Sequence, residues 1–517
     1  MRQLQSYLQG QWNTGEGDGR QLFDATSGKP IATASTKGLD LGAALQWSRS
    51  VGGKTLRSMT FAERAAVLKG MSVAIHEARD DLIALARENS GNTRGDAKFD
   101  IDGAAGTLSY YAYIGKSLGD QTFLFDGPAE NILRSARFVG QHISVSRRGV
   151  AIHINAFNFP AWGMCEKLAV SLLAGVPVLE KPGTATATVS EAIVKLWHDK
   201  GLIPDGAVSL LCGSVGDLLD HVQHQDCIAF TGSGTVGAKV RGHQRVVAMN
   251  VPVNIEADSL NASVLAPDVD AGSDTFVMFI NEVSRDLTQK AGQKCTAVRR
   301  ILVPAQLEEA VVEMLTERLD DAAVGDPADR GTRVGPLATA SQQRDVLAGL
   351  AELNKTATRV YGSQEDVPDA GYFVRPQLFR TDQGVSAAYV HEHEVFGPCA
   401  TILTYSGDAD EAVDIVSKGG GGLVCSFYSN NRDWARTLLL GLAPWHGRLY
   451  WGSKKVHDQG SGPGTVLPGQ THGGPGKAGG GEELGGLRGL SFYMQRTAIQ
   501  ADRGMLDKVL GKNSQNG

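Results

Sequence analysis

The feature that most constrains the fold is a unit repeated between residues 149 and 243. Three apolar runs, "GVAIHI", "GVPVLEK" and "CIAFTG", each lead to a helical pattern near residues 162–174, 185–199 and 234–243. Buried strands that alternate with helices are typical of βαβ units and a parallel sheet. The pattern therefore predicts an α/β fold with ligands at the carboxyl ends of the strands.

Segments on both sides extend this pattern. Thr60 and Glu63 have the spacing at which two side chains cap each other's backbone donors, and apolar residues then recur every four positions. We therefore predict an amphipathic helix over residues 60–79 and another helix over 306–323. A second α/β region is expected from about residue 258 to 450.

Two further segments lie outside the βαβ units. Residues 138–154, "FVGQHISVSRRGVAIHI", alternate and are rich in β-branched residues, which predicts a hairpin that feeds a buried strand. Residues 459–489 are rich in glycine and precede the strand-like "LSFYMQRTAIQ". Their hydrophobic and charged residues favour an ordered loop close to other backbone over a flexible linker.

Length and charge exclude several classes of protein. A chain of 517 residues is too large for one ordinary core, so two or three domains are expected. With 50 basic and 56 acidic residues, the net charge of −6 gives no support for a nucleic-acid partner. The amino terminus has no apolar signal region and no segment approaches 18 apolar residues, which predicts a cytoplasmic protein without a membrane partner.

The spacing of the cysteines agrees with a cytoplasmic location. The six cysteines include no CxxC pair, so we expect free thiols and no structural zinc site.

A cofactor loop is indicated by "CIAFTGSGTVG". Gly232, Gly234 and Gly237 have the GxGxxG spacing between a predicted strand and a predicted helix, where backbone amides can approach a pyrophosphate. Taken alone this signal is weak, because the chain has 64 glycines.

The preceding βαβ unit also indicates a cofactor site. Its strand ends at Lys181, with Thr184 just beyond, at the point where a dinucleotide fold contacts the adenosine ribose. An acidic residue there binds the ribose hydroxyls and selects NAD, whereas a cation and a hydroxyl suit the 2′-phosphate of NADP. The acidic residue Glu180 should point to the opposite face of the sheet from Lys181. We predict a preference for NADP over NAD, against the plainer interpretation of a solvated strand end.

The segment "AGQKCTAVRR" places Cys295 beside the cations Lys294, Arg299 and Arg300 in sequence. A thiol becomes a useful nucleophile when nearby positive charge favours its ionised form. The alternative is an inert, buried cysteine.

Two other residue types complete the chemistry of attack on a carbonyl. Asn158 in "NAFNFP" can donate to an oxyanion together with the Cys295 amide, and Glu256 in "VNIEADSLN" can activate water as a general base. Each has an ordinary alternative, since an Asn before Phe-Pro is often a turn former and a strand-end Glu is often solvated.

These residues carry a family resemblance. In order along the chain, "FNFP", "KP", "FTGS", a strand-end glutamate, "GQKC" and "EVFGP" resemble the aldehyde dehydrogenase superfamily. Within it, "HINAFNFP", "EADSLN", "AGQKCTAVRR" and "HGGPGKAGGGEELGGLRG" are similar to the dehydrogenase half of the bifunctional ring-opening protein of phenylacetate catabolism. They are also similar to the semialdehyde dehydrogenase of the benzoyl-CoA pathway.

The resemblance implies a mechanism. Cys295 attacks the aldehyde, Asn158 and the Cys295 amide stabilise the oxyanion, and Glu256 activates the water that releases the acid from a thioester. It also implies a nicotinamide cofactor, for which the residues at the end of the strand at Lys181 predict NADP, with NAD possible. The predicted cofactor residues are spread along the chain: Asn155, Phe157, Lys181, Thr184, Thr231, Gly232, Ser233, Val236, Glu394 and Phe396.

The resemblance further implies the aldehyde dehydrogenase fold, with two Rossmann-like parallel-sheet domains and a small oligomerisation arm. We expect a dinucleotide-binding domain in residues 1–127 and 149–257, a catalytic domain in 258–468, and the arm in 128–148 and 486–502. Residues 469–485 are expected to form a glycine-rich loop near the active site, and the protein to be a homodimer or homotetramer.

The implied substrate is a CoA-linked semialdehyde from the ring cleavage of an aromatic CoA thioester. Lys454 and Lys455 are candidates to hold the CoA phosphates, although a solvated lysine pair is the plainer interpretation. A CoA-acylating dehydrogenase is a rival, and the presence of Glu256 speaks against it. A general dehydrogenase of short aliphatic aldehydes is a second rival, and a non-catalytic protein of this fold is a third.

A metal site is not expected. The "HEHE" run at residues 391–394 contains good ligand types, but no further paired ligands accompany it in sequence.

Overall fold

The computed structural model describes residues 1–365, 367–479 and 481–511. Its strands form four sheets, two of them seven-stranded. Numbered along the chain, the strands are β1 (Arg2–Gln3), β2 (Ser6–Leu8), β3 (Gln11–Asn13), β4 (Arg20–Phe23), β5 (Pro30–Ala34), β6 (Phe123–Phe125), β7 (Glu130–Asn131), β8 (Phe138–Ser146), β9 (Ala151–Ile154), β10 (Val178–Lys181), β11 (Val208–Leu210), β12 (Cys227–Thr231), β13 (Val253–Glu256), β14 (Ala262–Leu265), β15 (Arg300–Pro304), β16 (Thr358–Tyr361), β17 (Gln377–Thr381), β18 (Cys399–Tyr405), β19 (Gly422–Tyr428), β20 (His446–Gly452) and β21 (Met494–Asp502).

The helices connect these strands and cover the two large sheets. They are α1 (Leu41–Trp47), α2 (Gly53–Ser58), α3 (Phe61–Glu77), α4 (Arg79–Ser90), α5 (Arg94–Leu118), α6 (Trp162–Leu173), α7 (Ala187–Asp199), α8 (Gly234–Arg241), α9 (Gln244–Ala248), α10 (Asp274–Thr288), α11 (Glu308–Asp320), α12 (Ala340–Thr356), α13 (Ala388–Glu392), α14 (Ala409–Ser417), α15 (Arg432–Leu442), α16 (Leu490–Tyr493) and α17 (Arg503–Leu510).

The first large sheet contains the predicted βαβ units. Its order is β13-β12-β9-β10-β11-β2-β3, and the five strands from β13 to β11 are parallel. Counted from β9 along the chain, this is the 3-2-1-4-5 order of a dinucleotide-binding sheet. The three predicted strands are β9, β10 and β12, and the helical segments after them are α6, α7 and α8, so this prediction is confirmed.

The second large sheet has the order β16-β17-β18-β15-β14-β19-β20. The strands from β17 to β20 are parallel, and β16 joins the edge antiparallel. The predicted helix over 306–323 corresponds to α11. The chain therefore contains two α/β units built around separate parallel sheets, as expected.

A smaller antiparallel sheet projects from these units. β8 is its central strand and pairs with β6, β7 and β21. The sequence predicted a hairpin from residue 138 onward that feeds a buried strand. The buried strand is β9, but it does not pair with β8, because the two strands belong to different sheets and are joined by the turn at residues 147–150.

The helix predicted over residues 60–79 is α3, and its capping box is present. Thr60 N donates to Glu63 Oε2 at 2.7 Å, and Glu63 N donates to Thr60 Oγ1 at 3.2 Å. Leu68, Met71 and Ile75 are fully buried, and α3 packs against α5. In the described part of the chain, no helix is both long and apolar enough to cross a membrane.

Candidate active site

Cys295 follows a short turn with an unusual backbone. In the 3-10 turn Gln289–Gly292, Lys290 and Ala291 have φ values of 55° and 50°, in the left-handed region that glycine prefers. Each such residue costs of order 1–3 kcal/mol of conformational strain, which the surrounding packing must offset. Gly292 also has φ 69°, and a Cβ there would lie 2.3 Å from Gly397 O, so only glycine fits. This turn fixes the direction in which the chain enters Cys295.

Two cavities meet at Cys295. A cleft of about 820 Å³ opens along the carboxyl ends of the first sheet, and an inner cavity of about 40 Å³ lies on the other side of the sulfur. Asn158, Glu256 and Thr231 line both cavities together with Cys295. Asn158 lies on the loop after β9, Thr231 ends β12 and Glu256 ends β13, so neighbouring parallel strands deliver all three. The structure thus brings together the three residues predicted to be catalytic.

One hydrogen bond orients the Asn158 side chain and leaves its second N–H donor free. Its Nδ2 donates to Gln293 O at 3.0 Å. Because a side-chain amide carries two N–H donors, the second remains available for a ligand oxygen beside Cys295.

The environment of Glu256 contains a residue that sequence reasoning missed. His472 Nε2 lies 3.2 Å from Glu256 Oε2, and both side chains are almost fully buried. The Cys295 sulfur is close to both, because one potential ligand atom from each of Cys295, Glu256 and His472 lies within 4.8 Å of the other two. The only sequence signal for His472 is its place in residues 469–485, the segment expected to lie near the active site.

His472 is held by the glycine-rich segment that carries it. The Glu483 amide donates to His472 O at 2.9 Å, which closes the segment into a loop. Gly479 has φ 123°, and a Cβ there would lie 1.6 Å from Ile255 O in β13. The loop therefore lies directly against the strand that ends in Glu256, in agreement with the expected close approach to other backbone.

Electrostatic effects couple these groups. Burial and the Glu256 carboxylate raise the pKa of the Cys295 thiol to about 12, although His472 acts in the opposite direction. Burial by itself lowers the pKa of His472, but the Glu256 carboxylate and the Cys295 side chain raise it well above its ordinary value. Burial likewise opposes ionisation of Glu256, but His472 and Lys167 bring the pKa of this carboxyl below its usual range.

The three cations adjacent to Cys295 in sequence turn away from it. Lys294 pairs with Asp286 at 2.6 Å, and Arg299 pairs with Glu394 at 3.3 Å. Arg300 donates to Leu260 O at 2.6 Å. These three side chains are therefore engaged with other groups, although they are close to Cys295 in sequence.

The predicted cofactor residues lie mostly along the large cleft. The members of the predicted set that line its wall are Asn155, Phe157, Thr184, Thr231, Gly232, Ser233, Val236, Glu394 and Phe396. In the described part of the chain, Asn155 Oδ1 and Thr231 Oγ1 are buried polar atoms without a hydrogen-bond partner. Such orphaned acceptors and hydroxyls at a cleft wall fit a polar ligand. At the amino terminus of α8, however, the Gly234 amide already donates to Asp258 Oδ1 at 3.2 Å.

Lys181 lies beside this wall. Its Nζ donates to Pro182 O at 3.0 Å and to Thr184 Oγ1 at 3.4 Å. Burial lowers the pKa of the Lys181 ammonium to about 8, and Arg20 shifts it in the same direction. Arg20, from β4, lines the cleft and was missed by sequence reasoning because β4 belongs to a separate small sheet.

Glu180 points away from the cleft, as the alternation along β10 predicts. Its carboxylate contacts His153 Nδ1 at 2.6 Å and accepts from Asn155 Nδ2 at 2.8 Å. At the other end of the cleft, Glu394 accepts from the Ser259 amide at 2.9 Å, and burial raises the pKa of the Glu394 carboxyl to about 7.

The "HEHE" residues do not gather around one point. His391 bonds to Gly384 O at 2.8 Å, whereas His393 stacks on Tyr389. Potential ligand atoms of Glu166, Glu256, His472 and Glu483 do lie within 4.8 Å of one another. Lys167 Nζ is 3.1 Å from Glu166 and 3.2 Å from Glu483, so an ammonium already provides a positive charge there.

The candidate CoA contacts lie elsewhere. Lys454 and Lys455 are exposed, and neither is among the described residues that line the two cavities at Cys295. A third cavity, of about 550 Å³, shares Phe99, Trp162 and Val466 with the inner cavity, and Lys98 lies on its wall. This third cavity, called the vestibule below, therefore adjoins the inner cavity at these shared residues.

Comparisons with known proteins agree with this geometry. The model of the aldehyde dehydrogenase family matches residues 12–499. The chain is 42% identical over 478 residues to 3,4-dehydroadipyl-CoA semialdehyde dehydrogenase of Aromatoleum evansii, covering 91% of this chain and 93% of that protein. A putative aldehyde dehydrogenase from Burkholderia cenocepacia superimposes with a TM-score of 0.84 at 23% identity, over 96% of this chain and 100% of that one. An NAD-dependent aldehyde dehydrogenase from Sinorhizobium meliloti gives 0.83 at 22% identity, over 97% and 95%.

Proposed function

Because the chain belongs to the aldehyde dehydrogenase family, we propose that it oxidises an aldehyde to a carboxylic acid with Cys295 as the nucleophile. The observation that carries this proposal is the position of Cys295, Asn158 and Glu256 where a large cleft meets a small inner cavity. One cavity can admit a cofactor and the other the end of a substrate, so that both reach the same sulfur.

The proposed roles follow from the donors and acceptors at that junction. The Cys295 sulfur attacks the aldehyde carbon, and the free N–H of Asn158 with the Cys295 amide donates to the resulting oxyanion in a thiohemiacetal. Oxidation leaves a thioester on Cys295. Glu256 then takes a proton from water, and attack by this water releases the acid.

The large cleft fits a nicotinamide dinucleotide. The unpartnered atoms of Asn155 and Thr231 lie on its wall, and it runs along the carboxyl ends of a sheet with dinucleotide-binding order. Ser233 and the residues around it would face the pyrophosphate, and Glu394 with Phe396 would lie at the nicotinamide end. When bound, this cofactor accepts the hydride.

We further propose a preference for NADP, with NAD as the weaker cofactor. The support is a cation pair, Lys181 and Arg20, at the ribose end of the cleft, together with the rotation of Glu180 away from it. A 2′-phosphate would compensate the buried ammonium of Lys181.

For the substrate we propose a semialdehyde whose other end is a CoA thioester. The relative that is 42% identical carries such a substrate in its name, with a six-carbon acyl chain. A narrow inner cavity that adjoins a larger vestibule suits a linear chain with a bulky end, and Lys98 places a cation on the vestibule wall. The structure does not support Lys454 and Lys455 in that role.

Two rival activities are distinguishable from this one. A CoA-acylating dehydrogenase passes the acyl group to free CoA, which makes a general base for water unnecessary, whereas Glu256 lies at the sulfur here. A general dehydrogenase of short aliphatic aldehydes would have no need of the vestibule.

The proposal extends to domains and assembly. We assign residues 1–127 and 149–257 to cofactor binding, 258–468 to catalysis, and 128–148 with 486–502 to an arm that joins subunits into dimers or tetramers. Leu133, within this arm, is 64% exposed and Val509, just beyond it, is 75% exposed, which is typical of a surface covered by a second subunit. A cytoplasmic location is part of the proposal, supported by six unpaired cysteines.

Product analysis tests the proposed reaction. The protein, incubated with a six-carbon CoA-linked semialdehyde and NADP, should yield the free acid without added CoA. Cys295→Ala should abolish turnover and retain cofactor binding, whereas Cys425→Ala, at a buried site on β19, should remain active. Turnover by Cys295→Ala would rule out the nucleophile, and a strict requirement for CoA would establish the acylating activity instead.

A further inference from the structure

Three side chains from separate parts of the chain form one cluster at the nucleophile. Potential ligand atoms of Cys295, Glu256 and His472 all lie within 4.8 Å of one another. The His472 imidazole contacts the Glu256 carboxylate at 3.2 Å, which leaves its ring close enough to the Cys295 sulfur to interact with a charge there. The reaction proposed above gives roles to Cys295 and Glu256 only, so the histidine is unexplained.

The cluster poses an electrostatic problem for a nucleophilic thiolate. Cys295 must become negative next to the carboxylate of Glu256, which is 2% exposed. Two like charges this close in a buried site oppose each other, and burial disfavours each of them. A thiolate there therefore needs a cation at short range.

The other cations around the site direct their donors elsewhere. Arg448, whose charge interacts with Cys295, donates to the backbone oxygens of Thr465 and Pro463. Lys167 Nζ is shared between Glu166 at 3.1 Å and Glu483 at 3.2 Å, and burial raises the pKa of Glu483 to about 8. Counting Glu166 and Glu256 as ionised, Lys167 as charged and Glu483 as protonated leaves one more negative charge than positive. Arg299, Lys294 and Arg300 are paired elsewhere.

We propose that His472 is a catalytic residue that acts as an imidazolium between Glu256 and Cys295 and thereby makes the Cys295 thiolate available for attack. This inference rests on the proposed role of Cys295 as the nucleophile. Glu256 holds the positive charge on the imidazole, and the imidazole donates to the sulfur. The arrangement corresponds to a Cys-His-carboxylate triad assembled from β13, the turn before Cys295 and the glycine-rich loop.

The proton and electron balance of the activation step is simple. The S–H bond of Cys295 breaks, its electron pair stays on sulfur and the proton leaves to solvent through the cleft. The resulting thiolate faces the imidazolium N–H of His472. Attack on the aldehyde then forms the C–S bond, and the carbonyl π electrons move to the oxygen near Asn158.

The pH dependence of thiol alkylation tests this role without aldehyde or cofactor turnover. For the wild-type protein and His472→Gln, the rate of Cys295 alkylation by iodoacetamide is measured from pH 6 to 10, with Cys295→Ala as the blank. Gln keeps a hydrogen-bond donor but removes the charge. We expect an approximately tenfold or greater loss of rate at each pH below the thiol pKa, which corresponds to a rise of that pKa by about one unit or more. His457→Gln, at an exposed histidine, should leave the profile unchanged.

An unchanged rate profile in a folded His472→Gln protein with normal cofactor affinity would overturn the proposal, because a merely structural histidine predicts that result. Since the assay needs no substrate oxidation, failure to turn over a given aldehyde would bear only on the proposed function.

A second measurement applies if His472 variants do not fold. In ring-¹⁵N-labelled wild-type protein at pH 8.5, one of the 12 histidines should remain an imidazolium, and alkylation of Cys295 should shift its signal. A spectrum in which every histidine is neutral at that pH would refute the proposal.

Discussion

At the scale of single residues, the active site depends on which charges reach the sulfur. Lys294 and Arg299, adjacent to Cys295 in sequence, form ion pairs within the second α/β unit. His472, with a ring nitrogen within 4.8 Å of the sulfur, comes from a distant loop. Asn158 and Glu256 are at the site for a different reason. They follow neighbouring parallel strands whose carboxyl ends must meet at one edge of the sheet.

The oxyanion donor can be tested by substitution. Asn158→Ala should lower kcat by about 10²- to 10³-fold, because loss of one preorganised donor to the oxyanion costs that much. Steady-state kinetics with the CoA-linked semialdehyde provides the measurement. Asn354→Ala, at an exposed asparagine on α12, serves as the control and should retain full activity. A kcat for Asn158→Ala within twofold of wild type would contradict the role.

The buried ammonium of Lys181 predicts a pH-dependent affinity for NADP. Its pKa is about 8 in the free protein, and a bound 2′-phosphate would raise that pKa. Below pH 8 the lysine is charged in both states, so affinity is full; above pH 8 binding requires uptake of a proton, so affinity falls as pH rises. Titration calorimetry between pH 7 and 9.5 measures this trend.

The same titrations show whether Lys181 causes the decline in affinity for NADP. Affinity for NAD should show no such decline, and Lys181→Met should remove the decline for NADP, whereas Lys200→Met, at an exposed lysine, should preserve it. Equal pH profiles for NAD and NADP would show that Lys181 does not meet the phosphate.

At the scale of elements, local sequence signals and tertiary packing contribute separately. The capping box of α3 is formed by exposed side chains and satisfies backbone donors locally, so the sequence alone predicts it. The glycine-rich loop is the opposite case. Its glycines are required by the approach to β13, which nothing within the loop itself specifies.

The cap of α3 yields a stability prediction. Thr60→Ala should lower the free energy of unfolding by about 1 kcal/mol, because an N-cap acceptor is lost at an exposed helix end. Urea denaturation followed by circular dichroism measures this change. Thr437→Ala, on the exposed face of α15, should change stability by less than about 0.5 kcal/mol. Similar values for both variants would contradict the assigned cap.

At the scale of the whole molecule, the cleft is a composite of both α/β units. Thr231 and Gly232 come from the first sheet, whereas Glu394 and Phe396 precede β18 of the second. The small antiparallel sheet and α17 expose large hydrophobic side chains, in and around residues 132–138 and at Met505 and Val509.

Assembly is the prediction at this scale. Light scattering should give two or four times the 54.8 kDa mass of one chain. Leu133→Asp together with Val509→Asp should shift the protein to a smaller species, because buried carboxylates destabilise an apolar interface. Leu440→Asp, at a 58% exposed leucine on α15, is the matched control. An unchanged mass for the double variant would place the interface elsewhere.

Much of the fold was determined by the sequence itself, because hydrophobic periodicity, caps and turn residues act over a few positions. The strands of the first sheet, the position of Cys295 and the ends of strands that carry Asn158 and Glu256 all belong to this class. The tertiary structure alone decided the direction of each long side chain and the arrival of distant segments. The pairing of Lys294 and Arg299 away from the sulfur, the placement of Arg20 at the cleft and the contact of His472 with Cys295 depend on packing between elements far apart in the chain, which no local pattern encodes.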